Sequence, residues 1–138
     1  MSKTLDALST QLTWQLSELN QNISIIEQQL ADLNQQYESG QQRIMNANDM
    51  PATILPEQEM ARLQFILHQQ QLLDKLNHTR ETLRAELNVL QARQLRLKTE
   101  LKRLELYQEQ QRLHQKQQAV LTQYKQADEW SLLHGEPI

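Results

Sequence analysis

The sequence contains neither proline nor glycine between Pro56 and Gly135. Proline removes a backbone donor and glycine disfavours helix, so nothing in this long segment would break a helix. Leucine recurs there every three or four residues, the spacing that places side chains on one helix face. Because a single narrow apolar face has to be buried against a partner, this segment restricts the fold to a coiled coil or a helical bundle.

The spacing predicts a helix over about residues 56–130, followed by a frayed tail at residues 131–138. Pro56 suits the first helical position, and Glu57 and Glu59 complement the helix dipole. The predicted seam of this second helix consists of Ile66, Gln69, Leu73, Leu76, Arg80, Leu83, Leu87, Leu90, Gln94, Leu97, Leu101 and Leu104.

A second seam predicts a first helix over about residues 3–46. Its members keep three- and four-residue steps, and we place a stutter at the step from Leu8 to Leu12. Leu16 adds an apolar residue beside Gln15. The predicted seam consists of Leu5, Leu8, Leu12, Gln15, Leu19, Ile23, Ile26, Leu30, Leu33, Tyr37, Gly40 and Ile44.

Residues 47–55 form the predicted connection. Asn48 and Asp49 favour turns, and Pro51 cannot continue a helix. A connection this short makes the two helices antiparallel neighbours. We therefore predict an all-α fold, a long antiparallel two-helix coiled-coil hairpin whose second helix is longer than its first, as a single coiled-coil domain over residues 1–138.

A midpoint near residue 52 predicts that facing residues have numbers adding to roughly 104, because both helices rise by the same step per residue. The N-terminus then lies opposite about residue 100. Helix 2 continues beyond Leu106 without a continuous apolar stripe, although it keeps Leu113, Leu121, Tyr124 and Trp130. Since an isolated helix is marginal in water, this surplus is expected to need support from the seam or from another chain.

The composition argues against an enzyme. The chain has two glycines, no cysteine and a mean hydropathy of -0.73, so it offers no phosphate-binding glycine loop, no thiol chemistry and too little apolar surface for a compact core. The histidines are isolated, and a two-helix hairpin has no cleft for acid–base chemistry. We expect no catalytic residue, no metal and no cofactor. With no signal segment and no membrane-spanning run, we expect a soluble cytoplasmic protein.

Charge is unevenly distributed. Residues 1–69 carry three basic and eight acidic side chains, whereas residues 70–138 carry eleven and nine. The basic side chains cluster at Arg93, Arg96, Lys98, Lys102 and Arg103. No aromatic residue is interleaved for base stacking, so a solvated coiled-coil flank, with Glu100 pairing with Arg96, is favoured over a nucleic-acid site. The cluster remains a candidate contact for an acidic protein partner.

The few aromatic side chains leave two interpretations open. Tyr37 lies on the predicted seam, and Phe65 lies one position from it. If these side chains are exposed, they mark a contact surface. If the aliphatic parts of neighbouring glutamine and lysine side chains cover them, they belong to the packing of the hairpin itself.

Three stretches resemble one family. "IEQQLADLNQQYESG" (residues 26–40), "MARLQFILHQQQLLDKL" (residues 60–76) and "YKQADEW" (residues 124–130) are similar to the flagellar export protein FliJ and its YscO-type relatives in type III secretion. The likeness covers most of the chain, including the longer second helix. This chain departs from the family in its net charge of -3, because the family is usually more basic.

The resemblance implies a non-enzymatic stalk that inserts into the hexameric export ATPase and contacts the export gate protein, with export chaperones as further partners. It implies a cytoplasmic location, peripheral at the inner membrane through the export apparatus, without nucleic acid and without direct membrane insertion. The gate-side residues it implies are Leu30, Leu33, Tyr37 and Phe65. The ATPase-side residues it implies are Leu101, Lys102, Arg103, Leu113, Leu121, Tyr124 and Trp130.

Two other functions remain open at this stage. In one, the chain is an export chaperone or adaptor whose surplus helix holds an amphipathic helix of a partner. In the other, it is a structural coiled coil that buries the same segment by self-association.

Overall fold

The computed structural model describes residues 2–49 and 55–135. Within these ranges the chain forms helix α1, Ser2–Ala47, with 46 residues, and helix α2, Pro56–His134, with 79 residues, and it contains no strand. The predicted all-α hairpin with a longer second helix is confirmed.

The connection is described only at its two ends. α1 ends at Ala47, and Asn48 and Asp49 follow in a turn and a bend. The backbone carbonyl of Leu55 accepts the amide of Glu59 at 2.9 Å, which starts α2 with Pro56 as its first residue, as predicted. Residues 50–54, which include the predicted helix breaker Pro51, lie outside the described residues.

α2 continues past its predicted end near Trp130. His134 stacks on Trp130 with ring centroids 4.2 Å apart, and its Nδ1 lies 2.9 Å from the Trp130 carbonyl oxygen. Gly135 then adopts a left-handed backbone with φ 62°, the conformation that commonly terminates a helix. The four residues from Ser131 to His134 are therefore helical rather than frayed. The rest of the predicted tail, residues 136–138, lies outside the described residues.

The contacts of the chain group into two units, to which both helices contribute. Unit 1 comprises Met1–Leu16 with Arg96–Ile138, and unit 2 comprises Ser17–Leu95. The sequence predicted one domain, and the two units are described separately below.

Unit 2 is held together by a seam along one face of each helix. Every seam position predicted from residue 19 to residue 94 is buried or half-buried. The repeat is regular because three- and four-residue steps alternate without interruption on both helices. The buried residues of this unit are Leu19, Ile23, Ile26, Leu30, Gly40, Ile66, Gln69 and Leu73.

In unit 1 the predicted stutter is wrong. Leu12 is buried and Leu5 is half-buried, but Leu8 is 44% exposed and Ser9 takes the seam position between them. A seam that runs through Ser9 keeps the alternation of four- and three-residue steps, so α1 needs no local change in winding. Leucine at position 8 suggested a seam residue on hydrophobicity alone, whereas the helical period places it outside.

The predicted register is also wrong, by about ten residues. Asn20 accepts a hydrogen bond from Gln94 at 2.6 Å, where the predicted register would place Arg84. In unit 1, Asp6 accepts one from Gln108 at 3.3 Å, beyond the predicted partner of the N-terminal residues. The prediction assumed that the last residues of α1 lie level with the first residues of α2. Instead, Leu73 lies beside Gly40, which places Ala47 level with about Ile66, so α2 has already completed nearly three turns where α1 ends.

Arg62 compensates for a missing charge at the end of α1. The last turn of α1 has no basic residue. Arg62 of α2 donates from Nη1 to the Ala47 carbonyl at 3.2 Å and forms an ion pair with Glu59. The side-chain hydrogen bond between them lowers the pKa of Glu59 and raises that of Arg62. The cation thus donates to the last backbone carbonyl of α1 and opposes the negative end of the helix dipole.

Candidate partner-binding surfaces

The first two gate-side residues belong to the seam of unit 2. Leu30 is buried with 8% of its surface exposed, and Leu33 is half-buried. Both side chains face the opposite helix, so a partner reaches Leu30 only if the helices separate. Their assignment as contact residues stays a prediction, and their packing gives them a structural role.

Tyr37 packs against a polar cluster that bridges the helices. The guanidinium of Arg80 lies over its ring, 4.0 Å from the centroid. Arg80 also donates to Asn34 Oδ1 at 3.1 Å and to Asn77 Oδ1 at 2.8 Å, while its Nε is buried without a hydrogen-bond partner. A cation over an aromatic face is attractive, and here it joins α1 to α2. Tyr37 is half-buried by this contact rather than presented freely to a partner.

Phe65 is 43% exposed and lies apart from Tyr37. Because Leu73 lies beside Gly40, Phe65 lies level with about Asn48 at the end of α1, roughly 16 Å along the axis from Tyr37. The structure therefore does not bring the four gate-side residues together on one surface. Phe65 alone among them is largely accessible.

A further group of exposed apolar residues, on the side of the α2 seam opposite Phe65, was not predicted from the sequence. Met60, Leu63 and Leu67 are 66%, 55% and 57% exposed and are spaced by three and four residues. They form a row on α2 one position after the seam residues, and we call them the α2 flank row. The signal was present in the sequence as apolar residues repeating directly beside the seam. Exposed apolar rows of this kind mark contact surfaces.

In unit 1, α2 continues well past its last described hydrogen bond to α1, at Gln108. We call residues 109–134 the extension, which has about seven turns. The positions that would continue the seam are Gln111, Gln115 and Gln118, all exposed. Past the last described hydrogen bond between the helices, glutamine thus occupies the seam positions that are mostly leucine earlier on α2.

The extension carries its apolar side chains on another face. Leu113, Val120 and Tyr124 are spaced by seven and four residues and lie roughly opposite the polar continuation of the seam, at 3.6 residues per turn. Leu113 and Val120 line a shallow groove with Leu121, and Tyr124 is 68% exposed. These seven- and four-residue steps predict a contact with another helix.

The remaining ATPase-side residues fall into two groups. Leu101 is half-buried in the seam, and Lys102 and Arg103 are exposed beside it. Trp130 is half-exposed and stacked on His134. The two ion pairs of the described chain involve other residues, so none is formed by the basic cluster Arg93, Arg96, Lys98, Lys102 and Arg103. The expected pairing of Arg96 with Glu100 is therefore absent.

The extension's own ion pair is local. Arg112 donates to Glu109 at 2.6 Å, three residues earlier, and this hydrogen bond lowers the pKa of Glu109 and raises that of Arg112. Both side chains are more than half exposed, so the pair adds little to stability. It leaves the apolar face of the extension uncovered.

Among the described residues, no group of three or more histidine, aspartate or glutamate side chains is placed to hold a metal ion. Neither helix, over the part of the chain that the structure describes, has a stretch apolar enough to span a bilayer.

No family model matches the sequence, and no curated protein or solved structure matches it significantly.

Proposed function

We propose that the chain is a non-enzymatic stalk and coupling component of a bacterial flagellar or type III secretion export apparatus. In this proposal the extension, with Leu101, Lys102 and Arg103, inserts into the export ATPase hexamer, and the region around Phe65 contacts the export gate protein. The protein acts in the cytoplasm and is held at the inner membrane through the apparatus. The observation that carries the proposal is the inequality of the two helices, which leaves the extension helical but uncovered.

The extension has the properties that insertion into a protein ring requires. Its apolar residues Leu113, Val120 and Tyr124 are exposed, so burial against a partner removes them from water. The surrounding surface is rich in glutamine, whose amide forms hydrogen bonds in many orientations without a fixed charge. Such a surface supports contact that persists while the ring changes conformation.

The gate contact is proposed on the exposed residues of unit 2. Phe65 is exposed on one side of the α2 seam, and the α2 flank row is exposed on the other side, at 3.6 residues per turn. Leu30, Leu33 and Tyr37 then support these exposed residues indirectly by holding α2 in place against α1. The proposal therefore keeps all four gate-side residues but gives only Phe65 a direct contact.

The test is the effect on the cognate export ATPase. Purified chain is expected to increase hexamer formation and ATP turnover. Replacing Leu113, Val120 and Tyr124 by serine should abolish this effect, because the apolar face of the extension is lost. Val89→Ser is the matched control, since Val89 is equally exposed but lies in unit 2. No response of the ATPase to the unmodified chain would overturn the proposal.

The groove beside Leu113 also supports a second candidate, an export chaperone or adaptor. Its apolar lining suits an amphipathic helix of a secreted protein. Copurification of one structural substrate through the extension, without an effect on the ATPase, would select this function. A concentration-independent oligomer in sedimentation, with the extension buried, would instead select a self-associating structural coiled coil.

A further inference from the structure

Three polar residues of the unit 2 seam each bond across to α1. Buried Gln69 accepts a hydrogen bond from Arg43 at 3.2 Å, Arg80 donates to Asn34, and Gln94 donates to Asn20. We call Gln69, Arg80 and Gln94 the polar rungs. All three pairs belong to one register of the two helices. Polar residues at core positions of coiled coils commonly specify register at a cost in stability.

A fourth contact in the same register is steric. Gly40 is a buried seam residue, and the side chain of Leu73 occupies the space beside it. A Cβ atom at position 40 would lie 2.5 Å from Leu73 Cδ2. Glycine disfavours helix, so its place in the middle of α1 needs a reason. The missing side chain leaves a space that Leu73 fills.

The apolar part of the seam does not select this register by itself. Leucine and isoleucine repeat every seven residues, so sliding one helix by a heptad, about 10 Å, returns apolar residues to apolar residues. The slide changes the specific contacts. Leu73 would meet Leu33 or Ala47, and Gly40 would face Ile66 or Arg80. All three rung bonds would be lost together.

We propose that the polar rungs and the Gly40–Leu73 fit select one register of the hairpin over the registers one heptad away. The four contacts lie on both sides of the middle of unit 2, and each is lost when the helices slide by one heptad in either direction. The slide that brings Leu73 opposite Leu33 also overfills the seam, because a leucine would then face a leucine. The device concerns the hairpin itself and is independent of the proposed role in export.

The chain has no cysteine, so pairs of introduced cysteines report the register without interference. Asn22→Cys with Leu90→Cys tests the observed register. Asn22→Cys with Leu83→Cys tests a slide of one heptad. Each pair is treated with a short thiol cross-linker, and the cross-linked fraction is measured by electrophoresis. In the unmodified background we expect the first pair to cross-link at least ten times faster than the second.

The released variant combines Gly40→Ala with Leu at all three polar rungs. It is expected to cross-link through both pairs, with the difference in rate reduced to less than threefold. Its control places leucine at the exposed positions Gln21, Gln70 and Gln91 and should keep the tenfold difference. If the released variant still cross-links only through the first pair, the polar rungs and Gly40 do not set the register.

A reciprocal exchange keeps the test valid if the released variant does not fold. Gly40→Leu alone should reduce cross-linking of the first pair at least fivefold, because Leu73 already occupies the space. Adding Leu73→Gly should restore cross-linking of the first pair, since the leucine on α1 then fills the space left by the glycine on α2. Failure of the second substitution to restore cross-linking, in a chain that remains helical, would overturn the steric part of the proposal.

Discussion

Replacing Leu30 by aspartate tests the seam at its most informative position. Leu30 is buried between the helices in unit 2, with 8% of its surface exposed. The family resemblance also implies that Leu30 contacts the export gate protein. A residue that holds the helices together and a residue that binds a partner differ in one respect, because only the first affects the fold of the isolated chain.

The expected cost follows from two contributions. Burial of a leucine side chain stabilises by about 1.5–3 kcal/mol, which the substitution removes. Placing a polar group there without a hydrogen-bond partner costs about 1–3 kcal/mol more. The total of about 2.5–6 kcal/mol compares with a stability of roughly 5–15 kcal/mol for a typical domain. Leu30→Asp should therefore unfold much of unit 2 at 37 °C.

Circular dichroism measures the result as a loss of helicity at 37 °C and a lower denaturation midpoint. Ile25→Asp is the matched control, because Ile25 is on the same helix but 56% exposed. It should change the midpoint only slightly. Equal effects of the two substitutions, or an unchanged midpoint for Leu30→Asp, would refute the placement of Leu30 in the seam.

The pKa of Glu59 is lowered, so its ion pair with Arg62 contributes fully to stability above the ordinary carboxyl value of 4.5 and is lost as pH falls through the lowered pKa. Arg62→Ala removes the pair and should therefore reduce this part of the acid-induced loss of stability, measured by urea titration at several pH values. An unchanged acid response in the variant would contradict it. Leu113→Ser with Tyr124→Ser should leave the thermal midpoint nearly unchanged, because both side chains are exposed. A large drop in scanning calorimetry would show that the extension is packed.

The helices were predictable because their signals are local and repeated. From Leu19 to Leu30 and from Ile66 to Gln94 the seam positions follow from the heptad spacing alone. Pro56 and the two glutamates after it marked the start of α2. The C-terminal end was less visible, since Gly135 ends the helix by its backbone conformation and not by a change in composition.

The register was not predictable from periodicity, because every heptad shift preserves the apolar pattern. It depends on the contacts of Arg62 with Ala47, of Leu73 with Gly40 and of Arg80 with Asn34, which join residues distant in sequence. In the predicted register Phe65 would lie level with Ser39 and close to Tyr37, whereas the observed register separates the two. The α2 flank row was not predictable from periodicity, because its apolar residues have the same three- and four-residue spacing as the seam and lie directly beside it.

Cross-linking mass spectrometry on the chain bound to its cognate export ATPase and gate protein tests the central claim most directly, because it locates both contacts in one experiment. We expect ATPase cross-links to fall at residues 101–134 and gate cross-links at residues 60–72. Cross-links in the reverse assignment, or an absence of both partners from these segments, would contradict the proposed stalk.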